Sequence, residues 1–163
     1  MATTEDQTSL VEQLVHAAFF NKTGKLKKLV KHDPAQSVLD GLSAQFGSKC
    51  TALHAASVRN SVAAVKVLLK AKCSTDFRRP EDQSTSLHLA AQNGHCEIAK
   101  RLVAAKATVD LRNGLRETPL HRAAASDPPS SACVALLIEA KAEVNVRCEK
   151  GRSVLYVDRT TAA

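Results

Sequence analysis

The sequence predicts an all-α repeat solenoid: stacked helix-turn-helix units joined by β-hairpin-like loops, about four full units and a partial fifth. The first observation behind this is a recurring tetrapeptide. Thr51-Ala-Leu-His54 returns as Thr85-Ser-Leu-His88, as Thr118-Pro-Leu-His121 and, more faintly, as Ser153-Val-Leu-Tyr156, at offsets of 34, 33 and 35 residues. The second is a pattern just after each of the first three copies. There stand the alanine pairs Ala55-Ala56, Ala90-Ala91 and Ala123-Ala124, then apolar clusters at helical spacing, Val65-Leu68-Leu69, Ile98-Leu102-Val103 and Cys133-Leu137-Ile138. The third is a common exit, AKCSTD, AKATVD or AKAEVN. Features that keep register over successive copies exclude a chance period, and units too small to close a core alone must stack to bury one.

Within the single solenoid, residues 1–163, the first unit is residues 9–46, an N-terminal capping unit whose polar signals are eroded. Leu14-Val-His-Ala-Ala18 stands where Leu53-His-Ala-Ala-Ser57 stands one unit on, and Leu26, Leu29 and Val30 stand where Val65, Leu68 and Leu69 do. One face packs on the next unit and the other meets water, which accounts for Lys25, Lys27, Lys28 and Lys31. The exit HDPAQSVLDGLSAQFGSK is longer than later ones, since Leu14 and Leu53 lie 39 residues apart.

Units two (47–80) and three (81–113) carry the pattern most fully. Thr51, Thr85 and Thr118 each stand just before a helical run, where the hydroxyl accepts an orphan backbone N–H, worth about 1 kcal/mol per cap. Gly94 lies between two short helices where the chain needs positive φ, and Asn60 and Asn21 hold the equivalent places, asparagine tolerating that conformation best after glycine. Unit four (114–147) adds Pro119 at the first helical position, where a missing N–H costs nothing. It reads AAASDPPSSAC where unit three reads AAQNGHCEI, two residues longer, so Asp127-Pro128-Pro129 make an extended excursion. That excursion is read as a tolerated surface loop, with a partner contact as the alternative. The fifth segment (148–163) is either an abbreviated cap or the start of a continuing array.

These residues resemble the ankyrin repeat over residues 9–157, most specifically over Ser84-Thr-Ser-Leu-His-Leu-Ala-Ala-Gln-Asn-Gly-His-Cys-Glu-Ile-Ala-Lys100. The resemblance implies that His54, His88 and His121 are structural, bonding the threonine of their motif and the backbone of the connecting hairpin. It implies likewise that hairpin tips and the exposed edge of each first helix meet a partner protein. Carried over position by position, the helix edges give Val58, Arg59, Gln92, Asn93, Ala125 and Ser126. The hairpins give Arg78, Arg79, Glu81, Asp82 and Ser84, then Arg112, Leu115, Arg116 and Glu117, then Arg147, Glu149, Lys150 and Arg152.

Composition narrows the alternatives. Aromatics are 3% of the chain with no Trp, so the core is built from Leu, Val and Ala, and a base-stacking platform is lacking. A net charge of +7 therefore points to an acidic protein partner before nucleic acid. No run nears the roughly 18 apolar residues of a membrane span, and the acidic, polar start MATTEDQTSLVEQ is unlike a secretory signal; the expectation is an intracellular protein, cytoplasmic or nuclear, monomeric rather than oligomeric.

The chemistry-bearing residues read as structural. His88 and His95, seven residues apart, would lie roughly 10 Å along a helix axis, too far for one zinc ion. Five cysteines, odd in number and with no CxxC pair, argue against both a disulfide framework and a zinc site. Cys73 and Cys133 align with core positions, Cys50 and Cys148 fall in hairpins where exposure is expected, and Cys96 reads as inert filler with thiolate activation at a helix N-terminus as the alternative. With no phosphate loop, nucleophile elbow or carboxylate pair, neither an enzyme nor a cofactor is expected. The expected function is a scaffold or adaptor that binds an acidic or mixed-charge segment of another protein on its concave face. The alternative is a regulator that inhibits an enzyme such as a kinase, or recruits substrates to a ubiquitin ligase.

Overall fold

The computed structural model describes residues 4–32, 36–43, 49–126 and 129–154. Its helices come in pairs: α1 (Thr4–Phe19) with α2 (Thr23–His32), α4 (Ala52–Val58) with α5 (Val62–Lys70), α6 (Ser86–Gln92) with α7 (Cys96–Ala104), and α8 (Pro119–Ala124) with α9 (Ser131–Glu139). One further turn, α3 (Gln36–Leu39), stands between the first pair and the second. The first helices pack in the order α1, α4, α6, α8 and the second helices in the order α2, α5, α7, α9, so the chain is an all-α two-layer solenoid.

Helices of 6–9 residues are marginal alone, and packing with capping holds them. Thr51, Thr85 and Thr118 hold the extended cap geometry, with φ near −90° and ψ near 170°. In each case the histidine three residues on reaches back to the cap backbone, so the capping box is closed by imidazole instead of a carboxylate. The turns between paired helices pass through Asn21, Asn60 and Gly94 at φ of 53°, 54° and 66°. Within unit four, Asp127 and Pro128 lie outside the described residues; Pro129 is exposed.

Second helices end alike. Lys72, Lys106 and Lys141 sit at φ of 62°, 69° and 63°, where glycine is the usual choice. Two bonds close each end: Lys72 N–H to the Leu69 carbonyl and Cys73 N–H to that of Leu68, then Lys106 to Val103 and Ala107 to Leu102, then Lys141 to Ile138 and Ala142 to Leu137. The residue after each lysine is buried, and so is the leucine whose carbonyl its N–H reaches, the apolar pair that this kind of helix stop favours.

The core runs the length of the stack as one leucine or so per helix, with Leu14, Leu26, Leu53, Leu68, Leu87, Leu102, Leu120 and Leu137 enclosed. Ala55, Ala56, Ala90, Ala91 and Ala123 are buried between neighbouring first helices, where small side chains let backbones approach. In the capping unit Leu14, Val15, Ala17, Ala18 and Leu26 are buried while Lys25, Lys27, Lys28 and Lys31 are exposed.

Several expectations need correction. Helix α1 starts at Thr4, ahead of the residue-9 boundary read from the repeat pattern, because register with other units says nothing about an extension of the first helix. Val38 and Leu39 in the long first exit are buried, so part of that segment returns to the core. Cys50 and Cys148 are each only 7% exposed: both sit in hairpin stems whose backbone is paired, Cys50 with Ser43 and Cys148 with Arg152, and burial raises the Cys50 thiol above its usual range. Finally, the sulfurs of Cys96 and Cys133 are bonded across α7 and α9, with Cα atoms 5.0 Å apart. Cys133 is a core residue, as its alignment with Ile98 implied, but Cys96 is neither filler nor a free thiol. The pairing crosses units at a separation of 37 residues, which no local cysteine spacing reveals.

Candidate functional site

Each hairpin is short and cross-tied. Arg79 N–H bonds the Ser84 carbonyl at 3.0 Å, Asn113 N–H that of Glu117 at 2.9 Å, and Cys148 N–H that of Arg152 at 2.9 Å. Near each tip one residue takes positive φ: Gln83 at 57°, Arg116 at 58° and Gly151 at 70°. Neighbouring hairpins then bond to each other. Lys49 N–H donates to the Glu81 carboxylate at 2.6 Å, Gly114 N–H to the Asp82 carbonyl at 2.8 Å, and Glu149 N–H to the Leu115 carbonyl at 2.9 Å. A Cβ on Gly114 would stand 3.2 Å from that Asp82 oxygen, so close approach of two hairpins is what requires glycine there.

Within this frame the contact residues read from the sequence separate. Arg78, Glu81, Leu115, Arg116 and Lys150 are exposed on the hairpins, and Arg59, Gln92 and Asn93 on the ends of the first helices. Arg112 and Arg152 are half-buried; the carbonyl of Arg112 accepts from the Arg78 guanidinium at 3.1 Å, and that of Arg152 faces His121 Nε2 at 3.3 Å. Arg59 stacks over the Phe19 ring at 4.8 Å from its centroid. Gln92 accepts from Arg122 at 2.7 Å, and the Asn93 amide donates to its own helix at the Leu89 carbonyl, 2.7 Å away.

Others are structural. Ser84, grouped by its hairpin position with the contact surface, is fully enclosed, because its N–H and carbonyl both close the hairpin. Arg79 and Asp82 form a two-armed ion pair at 2.6 and 3.1 Å, both half-buried, and hydrogen bonds from Arg79 and the Ser84 N–H outweigh partial burial to hold the Asp82 carboxyl at about 2. Glu117 is half-buried against Arg122 at 3.2 Å and the Asn113 amide at 3.3 Å. The Ser126 hydroxyl is spent within its turn, donating to the Ala123 carbonyl at 2.8 Å and accepting from Ser130 N–H at 3.1 Å.

Sequence reasoning missed Arg122. Arg122 ties the Gln92 end of α6 to the Glu117 hairpin, and its helical place one residue after a motif histidine carries no signal of that reach. It also missed Asn113, buried at 6% exposure, whose side-chain oxygen accepts from Leu115 and Glu117 N–H at 3.0 and 2.9 Å and shapes the tip. Phe19, Ala55, Val58, Leu89 and Arg79 border a cavity of about 100 Å³ between first helices, the apolar floor beneath this face.

The histidines are spoken for. In all three motifs Nδ1 lies 2.9 Å from the threonine hydroxyl and takes the threonine N–H at 3.2–3.3 Å. Nδ1 is thus the acceptor, so Nε2 carries the proton and donates to a hairpin carbonyl: Phe77 for His54, Glu117 for His88, Arg152 for His121. Burial, helped by the Arg79 and Arg122 guanidiniums respectively, drives the His54 and His88 imidazoles down to about 4. With both nitrogens occupied, neither ring has a lone pair left for a metal. His95 reaches the preceding unit, its Nδ1 lying 2.8 Å from the Ser57 carbonyl. Among the described residues no group of three or more His, Cys, Asp or Glu side chains is placed to hold a metal ion, and no helix is long and apolar enough to cross a membrane.

Comparison with known proteins agrees with this architecture. The model of ankyrin repeats in three copies matches residues 14–113, and that of a single ankyrin repeat matches residues 116–149. Similar curated proteins include the E3 ubiquitin-protein ligase KEG of Arabidopsis thaliana, 27% identical over 57% of this chain, and the tyrosine-protein kinase Shark of Drosophila melanogaster, 37% identical over 58%. Inversin of Canis lupus familiaris is 30% identical over 91% of the chain. The chain spans only 6%, 10% and 13% of the lengths of these three proteins. Ankyrin repeats are protein-interaction modules, typically without catalytic activity of their own. The helix pairs, imidazole-closed caps and matched profiles together make the chain a member of the ankyrin repeat family.

Proposed function

We propose that the chain is a protein-interaction scaffold that docks an acidic or mixed-charge segment of a partner protein along its hairpins and the ends of its first helices. The observation that carries this reading is an imbalance in how the hairpin charges are used. Of the four hairpin acids Asp82 and Glu117 are ion-paired within the protein and Glu81 is bonded to a neighbouring backbone N–H, so among the described residues only the Glu149 carboxylate is left without a hydrogen bond or ion pair. Among the described residues the Arg112, Arg116 and Lys150 side chains make no hydrogen bond or ion pair, and Arg78 uses one donor of its guanidinium on a carbonyl. Guanidinium groups with donors to spare suit bidentate recognition of carboxylates. The apolar floor at Ala55, Val58 and Leu89 gives such a segment somewhere to seat an aliphatic side chain.

The test is affinity capture with mass spectrometry, comparing the wild type with Arg78→Glu, Arg112→Glu and Arg116→Glu combined. Arg79 is left alone because it holds Asp82. The expected result is loss of the captured acidic partner with an unchanged melting temperature; equal capture by both proteins overturns the assignment. The relatives named as a ubiquitin ligase and a tyrosine kinase motivate a second reading, in which the docked partner is an enzyme under regulation or a substrate being delivered. In that case the captured partner is itself a kinase, or is ubiquitinated in a manner that depends on the same three arginines.

A further inference from the structure

We propose that Cys96 and Cys133 form a reversible redox site whose co-substrate is a low-molecular-weight disulfide or thiol of the glutathione class, and that all exchange enters through Cys96. The two sulfurs are bonded between the second helices of units three and four, and their Cα atoms are 5.0 Å apart, within the range a disulfide spans without backbone movement. Their environments differ sharply. Cys133 is 0% exposed and does not line the cleft on which Cys96 opens. Cys96 is partly exposed and opens on a surface cleft of about 270 Å³, walled by Glu97, Lys100, Ala132, Leu136 and Glu139. A small molecule can therefore bring a sulfur up to Cys96 while Cys133 is screened.

The chemistry is set by that asymmetry. In oxidation, the Cys96 thiolate attacks one sulfur of the small disulfide; the small molecule's S–S bond breaks and one thiolate leaves with the proton Cys96 gave up. The mixed disulfide on Cys96 is then attacked by Cys133, whose proton goes to the second departing thiol. Two electrons pass from the protein thiols to the small disulfide, leaving a protein disulfide and two small thiols. Reduction is the reverse, a small thiolate attacking Cys96 and releasing Cys133. Ser130 Oγ lies 3.3 Å from Cys96 Sγ, where its hydroxyl can donate to the Cys96 thiolate that opens oxidation and that the last step of reduction, attack of a second small thiolate on the mixed disulfide, releases. The other cysteines, Cys50, Cys73 and Cys148, are buried thiols, and burial with the nearby Asp40 carboxylate pushes Cys73 up to about 12, so they do not compete.

The test uses the whole chain in glutathione redox buffers, quenched with acid and alkylated, then mapped by peptide mass spectrometry. In oxidising buffer the wild type is expected to lose two hydrogen masses, located to a Cys96–Cys133 cross-link, and to regain them in reduced glutathione. Early in the reaction the glutathione adduct is expected on Cys96 and not Cys133. Cys133→Ala should accumulate the Cys96 adduct at least about tenfold faster than Cys96→Ser accumulates one on Cys133, both variants being checked for helical circular dichroism. The proposal is overturned if no cross-link forms in excess oxidised glutathione, if it forms but reduced glutathione does not open it, or if the wild-type adduct appears on Cys133 first. The wild-type measurements decide the matter even where a variant fails to fold.

Discussion

The Asp76 carboxylate holds both donors of Thr108, a residue one unit further along the chain: the backbone N–H at 2.9 Å and the hydroxyl at 2.5 Å. Asp40 accepts in the same way from Ser74 N–H at 2.9 Å, and Asp110 from Glu143 N–H at 2.9 Å. The aspartate that closes one unit thereby pins the exit of the next, so the AKATVD signature is half of a bond whose other half lies a full period away. Asp76→Ala is expected to lower stability by about 1–2 kcal/mol in urea titration, with Asp110→Ala, which loses one bond, costing less. Equal stability of Asp76→Ala and wild type would show that these bonds merely replace water.

Acid should loosen the stack through the histidines. His54 and His88 sit near 4 in the folded protein against an ordinary value of 6.5, so the unfolded chain takes up their protons first as pH falls. Their stabilisation is complete above about pH 6.5 and declines from there toward pH 4, by roughly 2 kcal/mol for each ring between pH 7 and 5. Urea midpoints across that range measure the slope. In His88→Gln the pH dependence should shrink by about half even though the variant is less stable throughout; an unchanged slope would place its origin elsewhere.

How much of this was legible beforehand depends on whether a feature repeats locally. The period, the threonine caps and the asparagine-for-glycine turns were visible because each is a short pattern that recurs. The Ser84 burial, the Arg79–Asp82 pair and the Arg122 bridge were not, since a hairpin residue looks the same in sequence whether it points outward or folds under its own turn. The Cys96–Cys133 bond was hidden for another reason: one partner sits at an aligned core position and the other at a helix start, so neither the period nor the spacing marks them as neighbours.

Replacing a lysine at a helix stop should help. Lys106 at φ 69° and Lys141 at φ 63° occupy a left-handed conformation that costs a residue with a side chain about 1–2 kcal/mol, offset in part by the greater unfolded-state freedom of glycine. Lys106→Gly and Lys141→Gly are each expected to stabilise by about 0.5–1 kcal/mol, visible as a raised melting temperature. A drop in either would mean that the lysine side chain contributes more than the backbone strain removes.

Gly114→Ala should act in the opposite direction. The added methyl meets a backbone oxygen at 3.2 Å, which a flexible side chain could avoid and the Asp82 carbonyl cannot without lengthening its bond to Gly114. A loss of about 1 kcal/mol is expected, together with faster amide exchange at Gly114. Unchanged exchange would show that the hairpins shift apart without strain.

Reduction of the Cys96–Cys133 bond should lower the unfolding free energy by up to about 4 kcal/mol, the chain-entropy value for a 37-residue separation. Guanidinium titration with and without a reductant measures it. Cys133→Ala should show no such reductant dependence, and any that persists would have to come from another cysteine pair.

The bonds between neighbouring hairpins, from Lys49 to Glu81, Gly114 to Asp82 and Glu149 to Leu115, bear on the thermodynamics of docking. Loops tied to one another in the free protein have little conformational freedom left to lose when a ligand settles on them, so association there carries a small ordering penalty on this side of the interface. The row of hairpins works as a rigid comb. In the docking proposed above, whatever folding accompanies complex formation would belong to the incoming segment, and its heat-capacity signature would scale with that segment's length.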